Sequence, residues 1–240
     1  MKTHFLSFGT NNYINSRLRI RNQIESINTI DHIHIYSEDD LINIKEFWEK
    51  HKEFVLSNKR GYGYWLWKPF LTLKTLDEMN DEDVLIYADM GCEILVNNKT
   101  QFQNLINLAK NDCSGFISFE GTWNARFVDN YIEKNWTKSD LFEYLNCFNL
   151  KDTPQLPATY FAVRKCEKSV ELVKQWYNIC SIYSLLDDTP SKTPNDASFI
   201  EHRHDQSILS LLIKNFNFTS IKNERQLSEF LCIIDSRIRN

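Results

Sequence analysis

Three absences narrow the reading before any motif is considered. No run approaches the roughly 18 consecutive apolar residues of a membrane-spanning helix. There is no surplus of positive charge: 28 Lys and Arg against 32 Asp and Glu leave a net charge of -4, which argues against general nucleic-acid binding and makes any basic site a local one. The six cysteines (Cys92, Cys113, Cys147, Cys166, Cys180, Cys232) form neither CxxC pairs nor zinc-ligand spacing and read as reduced thiols. Met1 to Gly9 is too short and too soon broken for a secretory apolar region, so a cytoplasmic protein is expected. Neither an internal repeat nor a low-complexity tract is present. The 240 residues, 42% hydrophobic and 25% charged, otherwise have the composition of a soluble globular chain able to bury a core.

The most informative stretch is Asp83-Val84-Leu85-Ile86-Tyr87-Ala88-Asp89-Met90-Gly91-Cys92. Its apolar run is too short for a helix and follows the acidic turn Asn80 to Asp83, so it reads as a strand buried on both faces of a sheet. In open α/β sheets ligands bind beyond the carboxyl ends of the strands, which puts Asp89 where a ligand or its metal would be met. Gly91 permits a close backbone approach there. The plainer alternative is that Asp89 only caps a turn.

Around that stretch the chain alternates. Phe5 to Phe8 reads as a first strand, left by the loop Gly9-Thr10-Asn11-Asn12 at the same sheet edge as Asp89. Tyr13 to Ile27 has helical spacing, with Arg17, Arg19 and Arg21 interleaved as a solvated face. His32 to Tyr36 alternates like a strand, and Glu38-Asp39-Asp40 opens a helix. This β-α-β-α order favours a parallel sheet. Pro69 starts a helix that leads into the Asp89 strand. Lys99 to Lys110 follows as a helix and Gly115 to Phe119 as a strand beside the central one. Trp123 to Trp136 has no clean period. Lys138 to Phe142 begins a helix, Ala158 to Val163 is a strand, and Cys166 to Leu186 reads as one long helix. Asp187 to Asp196, with Pro190 and Pro194, reads as a mobile loop suited to act as a lid. The tail offers an edge strand, Phe218 to Ile221, and a closing element, Phe230 to Ile234.

Two polar clusters stand out. In Asn58 to Pro69, two glycines flank an aromatic, three more aromatics follow, and Lys59, Arg60 and Lys68 frame them. Glycines allow tight backbone, aromatic faces stack on a base or sugar, and cations meet a diphosphate. The competing account is a hydrophobic plug between helices. In Glu201-His202-Arg203-His204-Asp205-Gln206, two imidazoles, a guanidinium and a carboxylate precede an apolar helix, an arrangement able to bind a metal or a sugar hydroxyl. Asp205 alone is also what a helix start favours.

Together, Arg60-Gly61-Tyr62-Gly63-Tyr64-Trp65-Leu66-Trp67-Lys68-Pro69, Tyr87-Ala88-Asp89-Met90-Gly91-Cys92, Thr137-Lys138-Ser139-Asp140 and His204-Asp205-Gln206 resemble segments of viral and bacterial surface-glycan glycosyltransferases of the GT-A fold. The resemblance implies a single α/β domain with a Rossmann-like, mixed but mainly parallel sheet flanked by helices. Residues 1–120 would form its nucleotide-sugar half and 121–240 its acceptor half. It implies transfer of a sugar from a nucleoside diphosphate sugar, UDP-sugars favoured, to a glycan or glycoconjugate acceptor, in the host cytoplasm if the source is viral. The donor would meet Phe8, Gly9, Thr10, Arg60, Lys68, Tyr87, Asp89, Met90, Gly91, Lys138 and Arg203. The family's Asp-x-Asp motif maps its first carboxylate onto Asp89, but Gly91 stands where the second belongs. A divalent cation, Mn2+ or Mg2+, would then take Asp89 with His204 or Glu93, or be replaced by Lys68 and Arg203. Asp205 and Gln206 would lie by the donor sugar, and Asp140 is a further candidate for catalysis.

Two other classes stay open. One is a catalytically silent carbohydrate- or nucleotide-binding domain that lost the second metal carboxylate. The other is a sugar nucleotidyltransferase, which needs a glycine-rich phosphate loop after the first strand, where only Gly9 stands.

Overall fold

The structure is a computed structural model and describes residues 1–120, 131–221 and 228–236. Trp123 and the start of the aperiodic stretch around it lie outside the described residues.

Six strands form one mixed sheet in the order β2-β1-β3-β6-β5-β7. Strands β1 (Thr3–Phe8), β2 (His32–Tyr36) and β3 (Val84–Ala88) run parallel, with β1 between the other two. Strand β6 (Tyr160–Arg164) is antiparallel to both its neighbours, β3 and β5 (Phe116–Phe119), and β7 (Thr219–Ile221) lies parallel to β5 at the edge. The fold is therefore the mixed, mainly parallel α/β class that the alternation of elements predicts. Strand β5 does not sit beside the central strand, because β6 inserts between them. Since β5 belongs to residues 1–120 and β6 and β7 to 121–240, both halves share one sheet.

Alternation along the strands feeds two cores, one on each face. Leu6, Phe8, Leu85 and Tyr87 pack on one side with α3 (Lys45–Ser57), α5 (Trp67–Glu78), α9 (Glu167–Cys180) and α11 (His204–Asn215). Phe5, Val84, Ile86 and Ala88 pack on the other with α1 (Ile14–Ile27) and α6 (Lys99–Asn111). A central strand apolar at every position needs such a double cover. The short α2 (Glu38–Asn43) starts on a capping box: the Ser37 hydroxyl accepts from Asp40 N–H and the Asp40 carboxylate accepts from Ser37 N–H.

Local readings change in three places. The long helix expected from Cys166 to Leu186 ends at Cys180 and restarts as α10 (Tyr183–Leu186), because Ile182 leaves helical backbone at ψ 86°. Arg19 is no solvated charge: its guanidinium donates to Cys92 O at 2.7 Å and Met90 O at 3.0 Å, tying α1 to the turn after β3. Asp187 to Asp196 is no free loop. Lys138 Nζ donates to Asp187 O and Thr189 O, and the Asp140 carboxylate at the start of α8 (Ser139–Tyr144) accepts from Lys192 and Thr193 N–H.

Candidate active site

The carboxyl ends of β1 and β3 open into a cleft of about 900 Å³. Phe8, Gly9 and Thr10 line it from the first strand, Asp89, Met90 and Gly91 from the third, and Arg60 and Lys68 from the glycine-aromatic segment. Arg203, His204, Asp205 and Gln206 complete it from the start of α11. Stretches separated by up to about two hundred residues in sequence thus meet at the one sheet edge that the strand-end argument selects.

Lys68 is the hub of the cleft floor. Pro69 seats the segment in the first turn of α5, and the Lys68 side chain, 3% exposed, runs beneath the strand ends. Its Nζ lies 3.0 Å from Asp89 Oδ1, 3.3 Å from Asp205 Oδ2 and 3.1 Å from Ala158 O. Ala158 O accepts a hydrogen bond, the two carboxylates are ion-pair contacts, and Asp205 Oδ2 is buried without a hydrogen-bond partner among the described residues. The sequence suggests that Lys68 faces a diphosphate; its contacts instead bind it to two carboxylates. Tyr87 lies under the same group and donates its hydroxyl to Asp89 Oδ1 at 2.5 Å. Two carboxylates share one ammonium, so the cluster holds one more negative charge than it can pair. Burial raises the Asp205 carboxyl above the usual range, the Asp89 charge adds to this, and Lys68 opposes it. Lys68 is raised by Asp205 and Asp89 against its own burial. The shared proton stays on the ammonium, and the buried Asp205 takes up another more readily than an ordinary carboxylate does.

The cleft wall beside Lys68 is a left-handed turn. Five consecutive residues have positive φ: Gly61 59°, Tyr62 53°, Gly63 85°, Tyr64 52° and Trp65 60°. Non-glycine residues visit that region singly, at a cost of about 1–3 kcal/mol each, so the surroundings must hold the turn. They do so through Tyr64 N–H to Arg60 O at 2.8 Å, Trp65 N–H to Gly61 O at 3.1 Å and Trp67 Nε1 to Gly61 O at 2.9 Å. Trp67 packs at a tilt on Phe8 at 4.1 Å, while Tyr64 and Trp65 lie on the His204 ring at 4.5 and 5.6 Å. These aromatics are plug and wall together. A Cβ at Gly61 would sit 2.4 Å from the Trp65 indole. Gly61→Ala is expected to cost about 2–3 kcal/mol in urea unfolding, from positive φ and overpacking combined; a change below about 0.5 kcal/mol would show that the turn is not held as described.

The late cluster has its own partners. His204, also at positive φ, sets Nδ1 on Leu186 O at 2.8 Å and turns Nε2 toward Asp188 at 3.7 Å, and burial lowers its pKa to about 4. Its ring contacts are with Tyr64, Trp65, His202 and Asp188, whereas the Asp89 carboxylate contacts Tyr87 and Lys68. Gln206 donates to the Tyr131 hydroxyl and Gln155 Oε1 and accepts from Ala158 N–H. Glu93 lies on the short β4 (Glu93–Ile94), its charge acting on Arg19. Lys138 and Asp140 do not line the cleft; they clamp residues 187–193, as described above.

Asp235 was missed from sequence. It follows β8 (Ile233–Ile234), which pairs antiparallel with β4, and it lines the same cleft as Asp89. The neighbouring Ser236 hydroxyl donates to Gly91 O at 3.2 Å, which lays this segment on the turn after β3. A two-residue bridge between distant strands leaves no periodicity from which that placement can be read.

No family model matches the sequence, and no curated protein matches it. Among solved structures the chain is similar to a glycosyltransferase involved in the glycosylation of the major capsid of PBCV-1, at 10% identity over 93% of this chain and 82% of that one, TM-score 0.44. It is similar to the apo form of the glycosyltransferase GlyE of Streptococcus pneumoniae TIGR4, at 10% identity over 98% of this chain and 54% of that one, TM-score 0.49. It is likewise similar to mouse xyloside xylosyltransferase 1, at 10% identity over 99% of this chain and 96% of that one, TM-score 0.47. These likenesses concern general fold alone.

Proposed function

We propose that the protein is a glycosyltransferase that moves a sugar from a nucleoside diphosphate sugar, UDP-sugars favoured, to a glycan or glycoconjugate acceptor. The observation that carries this reading is the convergence in one cleft of a backbone loop after β1, a strand-end carboxylate and a buried carboxylate at a helix start. Glycosyl transfer requires stabilisation of an anionic leaving group and of an oxocarbenium-like centre. Phe8, Gly9 and Thr10 would carry the nucleoside, Asp89 would face the diphosphate end, and Asp205 with Gln206 would orient the sugar.

The donor set for a divalent cation fits better than Gly91 suggests. Asp89, 30% exposed, and Asp235 line one cleft, and both charges act on the Cys92 thiol buried behind them. Mg2+ and similar hard cations are held by one or two carboxylates together with substrate phosphates. Asp89 and Asp235 would hold such an ion, and when bound it would neutralise the departing diphosphate. His204 has Nδ1 on Leu186 O and leaves Nε2 buried without a hydrogen-bond partner among the described residues, but this two-carboxylate set does not need it as a ligand.

The test is nucleoside diphosphate release from a panel of nucleotide sugars with manganese, with and without chelator. Wild type should release UDP, and Asp89→Asn should fall by about a hundredfold, on the order of 2.7 kcal/mol of barrier, while its melting temperature stays within a few degrees. Wild-type rates in Asp89→Asn would overturn the reading. UDP binding without release from any donor would favour the silent binding domain.

A further inference from the structure

At the rim of the cleft, Arg60 and Arg203 share one carboxylate. Glu201 lies 2.9 Å from the Arg60 guanidinium and 3.1 Å from that of Arg203, and Arg60 has a second, looser partner in Asp188 at 3.4 Å. Both arginines line the cleft and come from different elements, one from the start of the left-handed turn, the other from the start of α11. The Arg203 guanidinium and the Arg60 backbone are held independently of Glu201. The backbone of Arg60 is fixed by the Tyr64 N–H, and the Arg203 guanidinium lies over the Trp136 ring at 4.3 Å, with its backbone N–H on Trp136 O at 3.0 Å. The Arg203 Nε is buried without a hydrogen-bond partner.

Glu201 itself is held loosely. Its side chain is 35% exposed, and its chain position is set by the backbone N–H groups of Ile200 and Glu201 on Asn135 O at 2.8 and 3.4 Å. A rotamer change would therefore free the carboxylate without moving the segment. Ion pairs this exposed contribute little to stability. Two guanidinium forks, that of Arg203 held over Trp136 and that of Arg60 anchored at its backbone, with a displaceable carboxylate between them, have the chemistry of a site for a planar or tetrahedral oxyanion, which such forks grip through paired N–H groups.

We infer that Arg60 and Arg203 form an oxyanion-binding mouth of the cleft, whose place the Glu201 carboxylate takes in this structure. The ligand is a phosphate or carboxylate group of a substrate, and it gains the mouth by displacing Glu201. The inference deepens the transferase reading and rests on it only for the identity of that substrate: the oxyanion is either the donor diphosphate or the carboxylate of an acidic sugar on the acceptor.

Isothermal titration separates these sources and tests the displacement. The probes are UDP against uridine, and a glucuronate-terminated disaccharide against its glucose-terminated counterpart, each with wild type, Glu201→Gln and Arg203→Ala. Glu201→Gln should tighten one anionic probe by about five- to tenfold by removing the competing charge, and leave its neutral counterpart unchanged. Arg203→Ala should weaken the same probe about tenfold or more. A response confined to the UDP pair assigns the mouth to the donor, and one confined to the uronate pair assigns it to an acidic acceptor. Anion affinities within twofold of wild type or weaker in Glu201→Gln, or no binding of either anion, would overturn the inference. The transferase reading is judged separately by UDP release: release without a Glu201→Gln effect sinks only the mouth, and a uronate response without release sinks only the transferase.

Discussion

Replacing Lys68 with methionine is expected to destabilise the protein by about 3–5 kcal/mol near pH 7.5, the usual cost of removing one partner from a buried ion pair. Methionine keeps most of the stem volume and deletes the charge, so packing changes little. What remains is a carboxylate, Asp205, 3% exposed and facing a second carboxylate without its cation. Asp89, partly exposed, recovers water; Asp205 cannot. Its route out is to bind a proton, and burial already pushes it above the usual carboxylate range while Lys68 is still present. Loss of Lys68 raises it further. The sign of the pH dependence follows: in the variant the folded protein binds a proton that the unfolded chain releases near pH 4, so acidification favours the fold and the deficit shrinks. Urea midpoints of wild type and Lys68→Met at pH 7.5 and 5.5 measure both effects. A deficit below 1 kcal/mol, or one that grows on acidification, would contradict the arrangement of Lys68, Asp89 and Asp205.

That arrangement also shows what sequence reasoning reaches here. Asp89 was legible because two local signals agree: an apolar run too short for a helix, and an acid at its end in a chain of alternating elements. Asp205 was legible as polar residues running into an apolar helix. Pro69 fixed the entry of α5. That Lys68 lies at the cleft could be expected from its neighbours, but its partners could not, because which acceptor a long side chain reaches depends on how α5 lies under β3 and α11. Arg19 illustrates the same limit. Its spacing marks it as one of three surface arginines, and only the position of the turn after β3 shows that two carbonyls await it.

The errors share a cause in tertiary contact. Strand β5 sits away from β3 because β6 returns antiparallel between them, a crossover that leaves no trace in periodicity. Lys138 and Asp140 carried the right chemistry for a site, yet their charges serve the backbone of residues 187–193, groups that a buried or half-buried loop must satisfy. Asp235 was invisible because its approach to the cleft depends on pairing between β4 and β8, two residues each. Where a side chain's role is set by one strand or one helix start, composition shows it; where it is set by two elements meeting, only coordinates do.

Acid is expected to unfold this protein earlier than its carboxylates alone would require, because several histidines are held neutral. His4 packs against His34 and His32 at the end of the sheet opposite the cleft, its Nδ1 3.1 Å from His34 and its Nε2 3.6 Å from Asp83. Burial, with His34 and His32 adding to it, lowers His4 to about 4 against the restoring pull of Asp83. His51, between the hydroxyls of Tyr177 and Tyr183 at 2.8 Å each, is lowered to about 4 by burial and then by Lys50. His204 is at about 4, and His202 lies well below its ordinary value, burial leading in both. Between about pH 6.5 and 4 the unfolded chain therefore binds protons that the folded protein refuses, so stability is complete above 6.5 and falls as the pH drops through that window. Each of the three histidines near 4 contributes on the order of 2–3 kcal/mol to this loss, together comparable with the roughly 5–15 kcal/mol that keeps a typical domain folded. Asp205, raised by burial to about 7, works the other way, gaining its proton in the folded state, and offsets about one of these histidines. Urea midpoints between pH 8 and 4.5 should be level to about 6.5 and then drop steeply, and His4→Phe, which keeps the ring volume, should reduce the slope by about one proton's worth. A midpoint unchanged from pH 7.5 to 5 would mean that these imidazoles are charged in the folded protein, and the neutral state of the buried His4 would have to be abandoned.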